Sequence, residues 1–386
     1  SGGMFDFSLS PSTVFDINDG GVIGPVGEIA RFPDPEMPFD FGGATVNIKS
    51  GGLFEGNPDE TSLFDPSVVS NIVINVFEGG MGNSLRAYDG STVNIYGGNV
   101  DRLGVFDGST FNISGGSVGR DLGAGGSTVS ISGGSVGGHF EAFNGSTVSI
   151  TGGSVGSGFE TFGGTTVNIT GGSVGDGFNA RDGSTVNISG GSVGESARAL
   201  DSSTVTISGG SVGDRFGALT GSSVNITGGS VGRQFQARDG STVNISGGSV
   251  GDRFGALAGS EVTISGGSVG EGFAANSGST VNISGGGMGR GFAARSGSTV
   301  NITGGSVGEL FAANSGSTVN ISGGEFTVNG GSVTSIDSIG RSSISVFSGV
   351  LADGGAFIFT GQHAPGKTTL PTYVVAPEDT TPEDVS

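Results

Sequence analysis

Residues 184–194 read STVNISGGSVG, and the same letters return unchanged at 241–251. Near copies begin at 109, 127, 203, 222, 279 and 298. The Val of STV falls at 129, 148, 167, 186, 205, 224, 243, 262, 281, 300 and 319, always nineteen residues apart. Earlier in the chain Val93, Phe111 and Val129 are spaced by eighteen, Ile74 to Val93 is again nineteen, and Val46 marks a more divergent copy. A period near twenty is the mark of a solenoid.

Within one period, S-T-V-N-I-S alternates polar and apolar residues, the rhythm of a strand with one buried face. The Gly-Gly pair that follows predicts a turn with positive φ. A short S-V comes next, then F-x-A as a third short strand, and Asp-Gly or Ser-Gly closes the last corner. Gly and β-branched residues throughout exclude a helix.

Three strands per turn, stacked in register, predict an all-β, single-stranded parallel β-helix of about thirteen turns. The inward columns are Val129, Ile131, Val136, Phe140 and Ala142, with their copies nineteen residues on. The Phe column is broken at Ala197, where the expectation is a packing defect or filling by Leu200. The chain divides into an N-terminal cap or clasp at 1–42, repeats at 43–324, C-terminal capping strands at 325–375 and an acidic linker or tail at 376–386. Caps are expected because a solenoid otherwise exposes raw strand edges.

The repeat STVNISGGSVG, carried over roughly residues 43–324, resembles the passenger and haemagglutinin-type repeats of secreted bacterial β-helix proteins. The resemblance implies a right-handed helix and an adhesive or surface role, extracellular or on the cell surface. It transfers no functional residue.

Composition narrows the options. Of 386 residues 83 are Gly, only 13% are charged, and the net charge is −20. Residues 1–42 carry seven acids against Arg31, and 376–386 add four acids with no base. Such a chain, with Lys49 and Lys367 its only lysines, is a poor partner for nucleic acid or anionic membrane. The absence of Cys excludes disulfides and thiolate metal sites. No apolar run is long enough for a membrane-spanning helix. The opening SGGMF reads as a processed or engineered start.

The inward columns account for folding, so function is sought in the outward ones. These form a nearly uncharged sheet of Thr, Asn and Ser, represented by Thr166, Asn168, Thr170, Thr185, Asn187, Ser189, Thr242, Asn244 and Ser246. The plain reading is a set of hydrogen-bonded ladders that keep a β surface soluble. As a binding face it suits polysaccharide or cell-surface matrix, and repeated rungs suit avidity. The lack of surface aromatics counts against a sugar platform. Ice binding is a further reading, since the face resembles the threonine arrays of β-solenoid antifreeze proteins, although Glu261 interrupts the Thr column. Eight N-I-S or N-I-T sequons from Asn112 to Asn320 are a by-product of the pattern.

The alternative is a carbohydrate-active enzyme. Its candidates are Asp121 and His139 on neighbouring turns, with Glu141 and Glu160 beside them. Stacked carboxylates suit a glycosidase pair and His139 a general base. Asp182, Asp201, Arg181 and Arg198 form a weaker patch. A last column reads Asp176, Glu195, Asp214, Arg233, Asp252, Glu271, Arg290, Glu309, in which Arg233 and Arg290 are expected to pair with the acids on either side. No cofactor is expected; Ca²⁺ on these carboxylates is a weak reading, because the nonapeptide Ca²⁺ repeat is absent. End-to-end self-association is left open.

Overall fold

The computed structural model describes residues 45–50, 71–308, 310–314 and 316–322 in full. It also gives the backbone of the strands Val14–Ile17, Val22–Ile23, Phe39–Asp40, Leu53–Phe54 and Val68–Ser70, residues 323–328, and the strands Gly331–Val333, Val346–Leu351, Ala356–Thr360 and Thr372–Ala376. The rest of the expected 1–42 cap, residues 377–386, Glu309 and Lys367 lie outside the described residues. The protein is an all-β parallel solenoid with turns of about nineteen residues and about thirteen turns; among the described residues its elements are strands, with no helix. The chain forms two compact units, Ser1–Gly194 and Glu195–Ser386.

In the first unit a typical turn carries the strands Thr166–Ile169, Ser173–Val174 and Asn179–Ala180. Thr166, Val167, Asn168 and Ile169 pair in parallel with Thr185, Val186, Asn187 and Ile188, like on like. Val167, Ile169, Val186 and Ile188 are buried, and the residues between them are not. Phe140 and Phe159 stack with centroids 4.2 Å apart, and Phe159 and Phe178 at 5.0 Å. In the preceding turns the same inward place is held by Leu85, Leu103 and Leu122, which align with one another and with Phe140. The strand Val14–Ile17 extends the parallel ladder onto Thr45–Ile48.

The second unit repeats the turn with Thr242–Ile245, Ser249–Val250 and Gly255–Ala256. Its spine is a run of rings: Phe216, Phe235, Phe254, Phe273, Phe292 and Phe311, with successive centroids 4.7–5.1 Å apart. Each buried ring contributes about 1.5–3 kcal/mol. Ala197 is itself buried, but Leu200 does not fill the missing ring: it stays half-buried, in the outward column that continues at Leu219. Toward the chain's end antiparallel pairs appear, where residues 326–328 meet Gly331–Val333 and Val346–Leu351 meets Ala356–Thr360, while Thr372–Ala376 pairs in parallel with residues 318–322.

The two glycines of each pair are needed for different reasons. Gly134 sits at φ +65°, the left-handed region. Gly133 does not, but a Cβ there would lie 2.3 Å from the carbonyl oxygen of Ser114 on the turn before. The last corner uses Asp182 and Gly183, both left-handed at φ 48° and 71°. The sequence reading missed how that corner is fastened. Ser184, buried at the start of the repeat, donates its hydroxyl back to the carbonyl of Arg181 at 2.5 Å. Thr165, Ser260, Ser279, Ser298 and Ser317 each make the same bond three residues back, at 2.6–2.8 Å. This local turn bond favours Ser or Thr at the start of a copy, although the buried hydroxyls of Ser109, Ser127, Ser203, Ser222 and Ser241 have no partner among the described residues.

The charged column behaves differently from expectation. Among the described residues Arg233 makes no ion pair with Asp214 or Asp252, nor Arg290 with Glu271. Instead Asp214 accepts the backbone N–H of Arg233 at 2.8 Å, and Asp252 that of Glu271 at 2.9 Å. A short carboxylate reaches the next turn's amide 4.8 Å away more easily than a guanidinium on a long stem. The cation in ionic contact is Arg215, one place further along the turn, which pairs with Glu195.

Candidate binding face

The four-residue strands set the face. Alternation sends Val and Ile inward, so Thr and Asn must point out, and Thr170 or Ser189 follows at the strand's end. In the first unit Thr166 aligns with Thr185 and Asn168 with Asn187. Thr170 and Ser189 are exposed. In the second unit Thr242, Asn244 and Ser246 hold the same three places, with Asn244 aligned on Asn225.

The middle column is hydrogen-bonded to itself. Asn187 donates its side-chain N–H to the Asn168 carbonyl at 2.9 Å, and Asn244 to Asn225 at 3.0 Å. Longer runs link Asn47, Asn75, Asn94 and Asn112 at 2.9 Å per step, and Asn282, Asn301 and Asn320 at 2.7 Å. A mid-ladder amide such as Asn75, Asn94 or Asn301 spends one N–H and its carbonyl on its neighbours, which leaves a second N–H. Glu261 disturbs this order: Asn282, with Thr263 on the turn below it, donates diagonally to the Glu261 carboxylate at 3.3 Å.

The flanking columns are freer. The hydroxyls of Thr166, Thr185 and Thr242 have no hydrogen-bond partner among the described residues. On the other side Ser132, Thr151 and Thr303 reach backbone carbonyls of the turn below only at 3.3–3.5 Å. The face is therefore a rigid amide ladder flanked by hydroxyls, repeated at the spacing of the rungs.

The stretch weighed for catalysis lies on another face of the first unit. Asp121 and His139 do stand on neighbouring turns, since Leu122 aligns with Phe140. Glu141 aligns with Glu160. Asp121 is held by Arg102 at 3.4 Å. Glu160 accepts from Asn179 at 2.9 Å and from Arg181 at 3.3 Å. Glu141 is exposed and unpaired, and His139 occupies a left-handed corner at φ 59°. Of the weaker patch, Arg181 is engaged with Glu160, and Asp182 and Asp201 are left-handed corner residues at φ 48°. Among the described residues no three His, Asp or Glu side chains gather as a metal site would require.

Surface aromatics, expected to be lacking, are present. Phe77 and Tyr96 stack with centroids 5.3 Å apart in the column that carries Ser or Thr from Ser114 onward. Tyr88, Phe106, Phe143 and Phe162 form a second outward column, half-buried, with neighbouring rings 4.9–6.2 Å apart. The signal was in the sequence: TVNIY at 92–96 puts a ring where the consensus writes TVNIS. No protein-family model matches this chain, and no curated protein matches it either.

Proposed function

We propose that this protein is a secreted or surface structural solenoid whose Thr/Asn/Ser face adheres to polysaccharide or cell-surface matrix. The observation that carries the reading is the division of labour on that face. The Asn ladder satisfies and stiffens itself, as between Asn168 and Asn187, while the Thr166 and Thr185 hydroxyls beside it are left unbonded. A preorganised array of donors and acceptors loses little freedom on meeting a polymer. Repetition then converts weak single contacts into retention by avidity. The likeness of the repeat to adhesive passenger and haemagglutinin-type repeats supports the same reading.

The test incubates the full chain with insoluble neutral and acidic polysaccharides, then assays the pellet for protein and the supernatant for new sugar ends. Retention without products is expected, falling stepwise as Thr166, Thr185 and Thr242 are replaced by Val. Release of products that stops with Glu141→Gln would replace the adhesive reading with an enzymatic one.

A further inference from the structure

The corner after Phe77 departs from the repeat of the first unit. Phe77 and Tyr96 occupy equivalent places, and Met81 aligns with Asn99, yet three residues (78–80) join the first pair and two (97–98) join the second. The corner narrows by one residue from one turn to the next, which leaves a ledge. The ledge is an open depression of about 510 Å³, walled by Glu78, Met81, Tyr96 and Asn99 over bare backbone at Gly97 and Gly98. Tyr96 is 53% exposed and Met81 48%, and among the described residues only Leu310 joins them as an exposed large apolar side chain.

We propose that this ledge binds one pyranose unit of a neutral polysaccharide. The inference rests on the adhesive reading above and gives it a defined subsite. A sugar ring has an apolar C–H face and a rim of hydroxyls, and the ledge offers both kinds of partner. Tyr96, braced by Phe77 behind it, supplies the aromatic surface, and Met81 adds a polarisable thioether. Asn99 accepts a hydrogen bond from the Ser117 hydroxyl at 2.7 Å, which fixes its amide and leaves both N–H groups unspent. Glu78 is exposed and makes no ion pair among the described residues, so its carboxylate can accept from hydroxyls. The lining sets two apolar side chains beside two polar ones over glycine backbone, and the depression is open, so it suits one ring of a surface-bound polymer rather than an enclosed ligand.

Charge selects the class. An unpaired Glu78 on a chain of net charge −20 disfavours uronate or sulfated polymers and tolerates neutral ones. Position supports a polymer over a free sugar, because Tyr96 stands in the same outward column as Ser114 and Ser132, at one end of the Thr/Asn/Ser face. A chain lying along that face runs onto the ledge.

The experiment titrates the full chain with neutral hexasaccharides of glucose, mannose and N-acetylglucosamine, and with a uronate hexasaccharide. The readout is the heat of binding by isothermal titration calorimetry, which does not depend on the side chain replaced. Tyr96→Ser is the test variant, because Ser is what neighbouring turns carry there and the fold accepts it. Tyr88→Phe is the control. A saturable response to a neutral hexasaccharide, weakened about tenfold or more in Tyr96→Ser and kept in Tyr88→Phe, is expected. Equal affinity in Tyr96→Ser, a response to the uronate alone, or no saturable response overturns the subsite. If polymer retention persists in that case and is lost when Thr166, Thr185 and Thr242 become Val, the adhesive face stands without the ledge. If retention is absent too, both fall.

Discussion

Phe235 and Phe254, nineteen residues apart, stack with centroids 4.7 Å apart and planes 6° from parallel. One inward ring per turn therefore ties each turn to the next, and both rings are essentially sealed from water. Phe254→Ala is expected to cost about 3–5 kcal/mol through lost burial and the cavity left behind. Phe254→Leu is expected to cost far less, because Leu85, Leu103 and Leu122 fill the same place in the first unit. Denaturant unfolding orders the variants, and amide exchange near residue 254 shows whether the loss is local. Equal costs for Ala and Leu would mean that ring stacking, not volume, holds the spine.

Asn301 sits mid-ladder, donating to Asn282 and accepting from Asn320 at 2.7 Å each. Replacing it by Ala breaks both bonds, at about 0.5–1.5 kcal/mol each. Asn301→Ala should thus destabilise by about 1–3 kcal/mol, whereas Thr185→Val, which removes an unbonded hydroxyl, should stay within about 0.5 kcal/mol. Paired denaturation curves check the contrast. A cost for Thr185→Val equal to that of Asn301→Ala would refute the division of labour on the face.

At the corner after S-V-G, the repeat alternates between Gly and side chains that tolerate a left-handed backbone poorly. Gly272 and Gly291 hold φ +71° and +80°, while Arg215, Gln234 and Arg253 are held at φ 61–62°. A non-Gly residue there bears about 1–2 kcal/mol of strain, and Gly returns about 0.5–1 kcal/mol of extra entropy to the unfolded chain. Arg253→Gly is accordingly expected to be neutral or slightly stabilising. Gly134→Ala should be clearly destabilising, since its Cβ would enter a left-handed backbone 2.7 Å from the Gly116 carbonyl. Thermal unfolding of the two variants beside wild type decides the signs.

The spacing of Val markers made the turn, its three strands and its inward columns legible, because each side chain in a parallel solenoid meets its own copy. Val186 and Ile188 needed no information from outside the nineteen letters. What the repeat concealed lies in exceptions to it. Tyr96 reads as noise in a Ser/Thr column until Phe77 is seen behind it and the corner at 97–98 is seen to be one residue shorter than that at 78–80. The Asp214 carboxylate goes to a backbone N–H that no charge pattern displays. The buried Ser184 looked like strand or loop polarity, though its hydroxyl fastens a corner.

Tyr88 gives the fold a pH-dependent contact. Burial holds its phenol above the ordinary tyrosine value of about 10; the Arg86 guanidinium pulls the other way, and Asp107 reinforces the rise. The native state thus keeps the proton longer than the unfolded chain does. Stability from this group is complete below the unfolded value and is lost as pH rises through the folded one. Tyr88→Phe keeps the ring against Phe106, 4.9 Å away, and cannot ionise. The difference in unfolding midpoint between wild type and Tyr88→Phe is therefore expected to be constant from pH 7 to about 9, then to move against wild type above about pH 10. Midpoints measured in pairs across that range cancel the titration of Lys and of the other tyrosines. A difference that stays flat to pH 11 would show that the Tyr88 phenol meets the same surroundings folded and unfolded.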